Sequence, residues 1–290
     1  MTTGDEKQDT IGYAFTAPYM LFLLVFTAYP LLFSFYLVFH SWDLITPPVY
    51  VGLRNFNFLL HDTDFWQALL NTLVFLAIHI PAQVVCSIAI AMALAEKIAA
   101  KTFFRAAFFL PVIISGAVVT ILWAKLYSTD AGVFNQVLAL AGIAPVKWLT
   151  STGLAMPSIA VMATWKNMGF YIVLFLAGLL SIPAHLYEVS KIEGTTRWQD
   201  FWYITLPLLK PTMLLVVVLS TFGAFSLFIE PYVMTGGGPL NSTMSVVLYM
   251  YKQAFLFQHM GYAATVGFAL AVIILLVVLV QKKYLDNDAH

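Results

Sequence analysis

Charged residues are scarce in this sequence. Only 10% of its 290 residues are Asp, Glu, Lys or Arg, whereas 61% are hydrophobic. About a quarter of the residues in soluble globular domains are charged, so this composition excludes an ordinary soluble globule. The 14 cationic residues balance the 14 anionic ones and form no Lys/Arg-rich run. The sequence therefore lacks the electrostatic footprint of a nucleic-acid-binding protein.

Cysteines and catalytic motifs are nearly absent as well. The single cysteine, Cys86, has no partner for an internal disulfide. There is no Gly-x-Ser-x-Gly elbow, His-Glu-x-x-His motif or Gly-x4-Gly-Lys-Ser/Thr loop, and the histidines lack the spacing of metal ligands. We therefore expect neither an enzyme nor a metal or cofactor site in this chain.

What the sequence has instead is a series of long hydrophobic runs. Each is long enough to cross the hydrocarbon core of a bilayer, which takes about 20 apolar residues in a helix. The pattern predicts an all-α membrane protein with six transmembrane helices. These predicted spans cover residues 14–39, 68–95, 104–126, 154–180, 208–233 and 262–280. Residues 14–280 would then form one membrane domain between two tails, residues 1–13 and 281–290.

The distribution of cations predicts how the chain crosses the membrane. The N-terminus is polar and acidic, unlike a cleavable signal peptide. Because Lys and Arg accumulate on the cytoplasmic side, the bias favours both termini inside. With that orientation four cations lie outside, namely Arg54, Lys125, Lys147 and Lys252. Nine lie inside, namely Lys7, Lys97, Lys101, Arg105, Lys191, Arg197, Lys210, Lys282 and Lys283.

Residues 181–210, between the fourth and fifth spans, form the longest predicted cytoplasmic segment. Leu186, Val189 and Ile192 recur at three-residue steps after Pro183, which predicts a short amphipathic helix. Gly194 marks its end, since glycine readily adopts positive φ. A second helical turn with an apolar side follows before Pro207. The segment is therefore predicted to be a helix-turn-helix whose surface can dock into a groove of a partner.

This segment resembles the permease signature of binding-protein-dependent ABC importers, E-A-A-x-x-D-G-A-x5-F-x-x-I-x-L-P, and most of all that of the maltose-type carbohydrate permeases. The matching residues are Glu188, Gly194, Phe201, Ile204, Leu206, Pro207 and Pro211. Val189 and Ser190 replace two alanines, Glu193 replaces the aspartate, and Thr195 replaces the third alanine. The resemblance implies that the loop couples the chain to ATPase subunits. The implied coupling residues are Glu188, Lys191, Glu193, Gly194, Phe201 and Pro207.

Other segments resemble the same family in the same order along the chain, among them VGLRNFNFLL, TWKNMGFYIVLFLAGLLSIP and VMTGGGPLNST. The resemblance implies a multi-pass permease subunit in a prokaryotic cytoplasmic membrane. Its implied partners are a homologous second permease, two ATPase subunits that carry ATP and Mg, and an extracytoplasmic binding protein. Transport would proceed by alternating access. We expect the binding protein to contact the predicted outside loop at residues 235–243, through Gly236, Gly237, Gly238 and Pro239.

Apart from Lys210 at the cytoplasmic end of the fifth span, the charged residues within the fourth and fifth predicted spans are Lys166 and Glu230. Charge that faces lipid is costly, so both are expected to face a cavity or a partner. The sequence leaves open whether they pair with each other or contact the substrate. With Tyr232 they are the candidate residues of the substrate path.

Three other functions are alternatives to a sugar permease. A glycerol-phosphate permease would favour several cations around its phosphate site, and this chain has only Lys166 in mid-span. An ion-coupled secondary transporter would be expected to carry more ionisable residues at mid-membrane. An intramembrane enzyme would need a nucleophile-base pair or a metal motif. The favoured prediction is a permease for a carbohydrate, a di- or oligosaccharide.

Overall fold

The computed structural model describes residues 13, 15–96 and 101–286. The predicted N-terminal tail other than Tyr13, residues 287–290 of the predicted C-terminal tail, and the cations Lys7 and Lys97 lie outside these ranges. The side chain of Lys101 is likewise not described.

The described chain is predominantly helical, as predicted. The longer helices are α1 (Phe15–Val38), α2 (Arg54–His61), α3 (Thr63–Ala95), α4 (Lys101–Ile113), α5 (Gly116–Leu126), α6 (Val133–Leu140), α7 (Ala155–Ser181), α8 (Ala184–Ile192), α9 (Arg197–Asp200), α10 (Lys210–Phe225), α11 (Ile229–Met234), α12 (Val246–Tyr251) and α13 (Met260–Asp286). π-helical turns occupy Leu24–Ala28, Phe201–Thr205 and Lys252–Leu256, and Leu206–Leu208 form a single helical turn. Within the described ranges, the exception to an all-α fold is an antiparallel pair, β1 (His40–Ser41) and β2 (Val49–Tyr50).

Five described helices are long and apolar enough to cross a membrane without a sharp bend: Phe15–Val38, Thr63–Ala95, Ala155–Ser181, Lys210–Met234 and Met260–Tyr284. The third predicted span, residues 104–126, was wrong as a single helix. It is two helices, α4 and α5, bent by 97° at a short break. The number of spans is six if this bent pair crosses the membrane as one.

The break between α4 and α5 has a local cause. Ser115 has extended backbone angles, φ −50° and ψ 131°, which end the helical path. Pro111 lies in the last turn of α4, where it lacks the N–H that would bond to the carbonyl four residues earlier. Hydropathy continues unchanged through this region, so the pattern of apolar residues carries no sign of the bend.

The chain divides into two compact units. The first comprises the chain up to Asp62 together with Met250–Ala269. In it, β1 pairs with β2 in the register His40 to Tyr50, and the Asn55 amide donates to the carbonyl oxygens of Val38 and His40. The Tyr262 hydroxyl donates to Asp62. These bonds hold α2 and the start of α13 against the hairpin.

The second unit comprises Thr63–Tyr249 and the chain from Leu270 onward. Its apolar core lies where α3, α7 and α10 meet, around Ile88, Phe175 and Val216. α7 packs closely on α4, because a Cβ at Gly169 would overlap the backbone carbonyl of Phe108. Only glycine permits that approach, so this position fixes the spacing of the two helices.

Candidate substrate cavity and coupling loop

The second unit contains a cavity of about 340 Å³, which we call the substrate cavity. Its walls come from α3, α7, α10, α11 and the end of α4, and they combine apolar side chains with a few polar groups. Such a lining is typical of small-molecule sites. The polar lining residues are His79, Lys166, Asn167, Tyr171, Ser220, Ser226 and Glu230.

The structure brings Lys166 and Glu230 together in this cavity. Lys166 Nζ lies 3.7 Å from Glu230 Oε1, and the two side chains are 16% and 12% exposed. Lys166 comes from the middle of α7. Glu230 comes from the first turn of α11, just after residues 226–228 interrupt the helical path between α10 and α11. Gly116, at the start of α5, leaves room for the ammonium group, since a Cβ there would lie 2.8 Å from Lys166 Nζ.

His79 contributes a second polar contact to the cavity wall. Its ring Nδ1 lies 2.8 Å from Thr164 Oγ1, and the Thr164 hydroxyl donates its own proton to the Ala160 carbonyl. A hydroxyl has one proton to donate, so His79 Nδ1 must be the donor in this pair. α3 and α7 are thereby joined beside the cavity.

The third predicted path residue, Tyr232, is not among the residues that line the cavity. It lies on α11 with its ring stacked on Phe228, at a centroid distance of 5.3 Å, and it is 46% exposed. Asn167, Ser220 and Ser226 line the cavity and were not predicted. Serine and asparagine carry no charge that stands out within a hydrophobic run, so their pattern alone could not mark them.

The predicted coupling loop, residues 181–210, has the expected helix-turn-helix backbone. α8 ends in a Schellman motif: Gly194 N–H bonds to the Lys191 carbonyl, and Thr195 N–H bonds to that of Ser190. Gly194 has φ +76°, as predicted. No heavy atom lies within 4 Å of a Cβ built there, so backbone strain rather than crowding favours glycine.

α9 begins with a capping box, in which the Thr196 and Gln199 side chains each bond to the other's backbone N–H. The Thr195 hydroxyl donates to Asp200 Oδ1 at 2.7 Å, and the hydroxyls of Tyr187 and Thr205 lie 2.8 Å apart. The threonine that departs from the signature's alanine thus ties the two helices together. Hydrogen bonds therefore link α8, the turn and α9 into one scaffold.

The predicted coupling residues are distributed over both faces of this scaffold. Glu188 and Lys191 are exposed on α8, and Glu193 caps that helix. Ile192 is 87% exposed although it is apolar. Phe201, in contrast, is half-buried and packs against the core of the second unit. Pro207 is exposed in the turn that leads to α10.

The glycine loop, residues 235–243, leaves helical geometry as predicted. Gly236 and Gly237 have φ +63° and +95°. The Asn71 side chain, on α3, donates to the carbonyls of Asn241 and Met244, so the loop is anchored.

Exposure within the glycine loop is uneven. Gly236 is exposed, whereas Gly237 is buried and a Cβ there would lie 2.6 Å from Met244 Cε. Gly238 and Pro239 are half-buried. Leu240, for which the sequence predicts no contact, is 91% exposed. Any partner of this loop would therefore meet Gly236 and Leu240 before Gly237.

No group of three or more His, Cys, Asp or Glu residues that could hold a metal ion occurs in the described ranges. The polar groups of the cavity are hydroxyls, the Asn167 amide, the His79 imidazole and one ion pair. They can donate and accept hydrogen bonds.

Comparison with known proteins shows a family match and similar relatives over most of the chain. The family described as "Binding-protein-dependent transport system inner membrane component" matches residues 60–286. The probable ABC transporter permease protein YurN of Bacillus subtilis is 34% identical over 284 residues, covering 96% of this chain and 97% of the relative. The lactose transport system permease protein LacF of Rhizobium radiobacter is 34% identical over 271 residues, covering 92% and 91%.

A solved structure agrees with the fold. A chain of a bacterial ABC transporter involved in the import of the acidic polysaccharide alginate superposes with a TM-score of 0.83 at 25% identity, covering 98% of each chain. A chain from a bacterial alginate ABC transporter in complex with an alginate pentasaccharide-bound periplasmic protein superposes equally well, with a TM-score of 0.83 at 25% identity. The chain described here therefore belongs to the binding-protein-dependent transport system inner membrane components, the permease subunits of ABC importers.

Proposed function

We propose that this permease imports a neutral di- or oligosaccharide. The observation that carries the proposal is the substrate cavity, whose uncharged polar lining consists of hydroxyl, amide and imidazole groups. Such groups match the alternating donors and acceptors of sugar hydroxyls. Relatives over nearly the whole chain are named for lactose and for arabinooligosaccharides, which supports a sugar as the substrate class.

The ion pair in the cavity argues against an anionic substrate. Among the described residues that line the cavity, Lys166 is the only cation, and Glu230 lies 3.7 Å from it. A phosphate ester needs several cations or free backbone N–H groups around it. A paired lysine leaves little net positive charge for that purpose. A glycerol-phosphate permease is therefore the weaker candidate.

The protein is proposed to lie in the prokaryotic inner membrane with both of its termini in the cytoplasm. The support is the excess of Lys and Arg in the segments that this orientation places inside. The coupling loop would then face the cytoplasm, and the glycine loop would face the opposite side.

The coupling loop is proposed to dock into a groove of one of two ATPase subunits, which hold ATP and Mg, while a homologous second permease completes the path. The exposed Glu188 and Ile192 lie on a helix whose ending is fixed by the Schellman motif. A rigid exposed helix can transmit a displacement of its partner to the helices that follow it. ATP-driven closure of the ATPases would thereby switch the permease between inward-facing and outward-facing states.

The glycine loop is proposed to contact an extracytoplasmic binding protein. Leu240 and Gly236 present an exposed apolar tip on a backbone that Asn71 holds in place. Because an anchored loop pays little ordering entropy on binding, it is suited to repeated docking.

The proposal is tested by measuring sugar uptake into membrane vesicles. The vesicles contain the complex that co-purifies with this chain, and the binding protein is added. Labelled disaccharides should accumulate when ATP is supplied, and dissipating the ion gradient at constant ATP should leave the initial rate unchanged. Accumulation that follows the ion gradient would contradict an ATP-driven importer. Uptake of glycerol phosphate with exclusion of sugars would contradict the substrate class.

A further inference from the structure

Gln83 is a fully buried polar residue whose hydrogen bonds are unaccounted for. Its exposed fraction is 0%, and neither Oε1 nor Nε2 has a hydrogen-bond partner in the described structure. A carboxamide offers two donors and two acceptor lone pairs. Buried polar groups nearly always have partners, because burying them unpaired is unfavourable. A leucine would fill a similar space without leaving these groups unpaired.

The position of Gln83 places it beside the substrate cavity. His79, Gln83 and Ser87 follow one another at four-residue steps on α3, and therefore share one face of that helix. His79 bonds to Thr164, and the Ser87 hydroxyl donates to the Met168 carbonyl. Gln83, between them, faces the same stretch of α7.

That stretch of α7 is a wall of the cavity. Lys166 and Asn167 lie between the two contact points and line the cavity, as does His79 itself. Side chains on a helix lean toward its N-terminus, so the Gln83 amide leans toward His79. Gln83 is thus about one helical turn from His79, a residue that lines the cavity.

We propose that the Gln83 amide is a substrate contact that becomes accessible when the cavity enlarges during transport, and that it binds a sugar hydroxyl there. A carboxamide can donate to one hydroxyl and accept from its neighbour, a match to the vicinal hydroxyls of a carbohydrate. The cavity of about 340 Å³ is near the lower end for small-molecule sites, so an oligosaccharide would need an enlarged cavity. This inference rests on the proposed function and adds a specific contact to it.

The first test compares Gln83→Leu with Ser87→Ala in the assembled complex. Both changes remove a buried polar group from the same face of α3, but only the first removes the proposed contact. Gln83→Leu should raise the KM for disaccharide uptake by about tenfold, the loss expected for one good hydrogen bond. Its amount in the membrane should match that of the wild type, and Ser87→Ala should keep the wild-type KM and basal ATP hydrolysis. A wild-type KM in Gln83→Leu would overturn the inference.

A second measurement covers the case in which Gln83→Leu fails to assemble. Gln83→Cys is made in a Cys86→Ser background, since the natural cysteine is exposed, and is treated with a small neutral thiol reagent. The cysteine should react while the transporter turns over ATP, and a transported disaccharide should protect it. A cysteine that never reacts, or that reacts without protection, would contradict the inference. If the wild-type complex imports no sugar at all, the proposed function fails. If it does import sugar and the Gln83 variants behave as wild type, only this inference fails.

Discussion

The substrate cavity and the coupling loop use polar residues in opposite ways. At the cavity, several polar side chains are paired with each other, as the largely buried Lys166 is with Glu230 and His79 with Thr164. In the loop, the hydrogen bonds fix the backbone at Gly194, while side chains such as Glu188 extend into solvent. The difference indicates that cavity substitutions alter stability and substrate binding together. Loop substitutions should alter coupling alone, except where they change the backbone.

The largest stability effect is expected from separating the ion pair in the cavity. Glu230→Leu leaves Lys166 unpaired in a region of low dielectric, which should destabilise the complex by about 2 to 3 kcal/mol. The double variant Lys166→Met, Glu230→Leu should recover most of that loss, because no charge remains unpaired. Thermal unfolding of the complex in detergent measures both. A double variant as unstable as Glu230→Leu would show that the pair is not a structural unit.

Gly194→Val tests the backbone of the coupling loop. At φ +76° a β-branched residue should cost about 1 to 2 kcal/mol locally and redirect α8, so uptake should fall strongly. Gly142→Val is the matched control, because Gly142 has φ +73° and also lies in open space. We expect the control to carry similar local strain but to retain uptake. Equal losses in both variants would attribute the effect to strain rather than to coupling.

Glu188→Ala should leave stability unchanged, since the side chain is exposed and no packing is lost. Uptake should nevertheless fall, and less ATPase should be recovered when this chain is pulled down from membranes. His185→Ala, an exposed change in the first turn of the same helix, serves as the control. Normal uptake by Glu188→Ala would remove the proposed coupling role.

The smallest effect on transport is expected at the glycine loop, where labelling gives the readout. In a Cys86→Ser background, Leu240→Cys should react quickly with an impermeant thiol reagent applied from outside. Gly237→Cys should react slowly, because Gly237 is buried against Met244. Protection of Leu240→Cys by the loaded binding protein would support the proposed contact. Labelling only from the cytoplasmic side would contradict the topology.

The sequence predicted the helical membrane fold because hydrophobic runs report directly on bilayer crossing, and it predicted the turn at Gly194 because few residues adopt positive φ. It did not predict the 97° bend between α4 and α5, which depends on local backbone angles within an unbroken apolar run. Lys166 and Glu230 could be recognised in the sequence because they are charged residues within hydrophobic runs. Ser220 and Ser226 did not, because only the packing of α10 and α11 places them at the cavity.

The most direct test of the account is substrate-stimulated ATP hydrolysis, measured in the same complex for a cavity variant and a loop variant. Glu230→Gln should raise the sugar concentration needed for half-maximal stimulation and leave the maximal rate near wild type. Glu188→Ala should lower the maximal rate and leave the half-maximal concentration unchanged. The reverse pattern, or identical changes in both variants, would contradict the assignment of substrate binding to the cavity and of coupling to the loop.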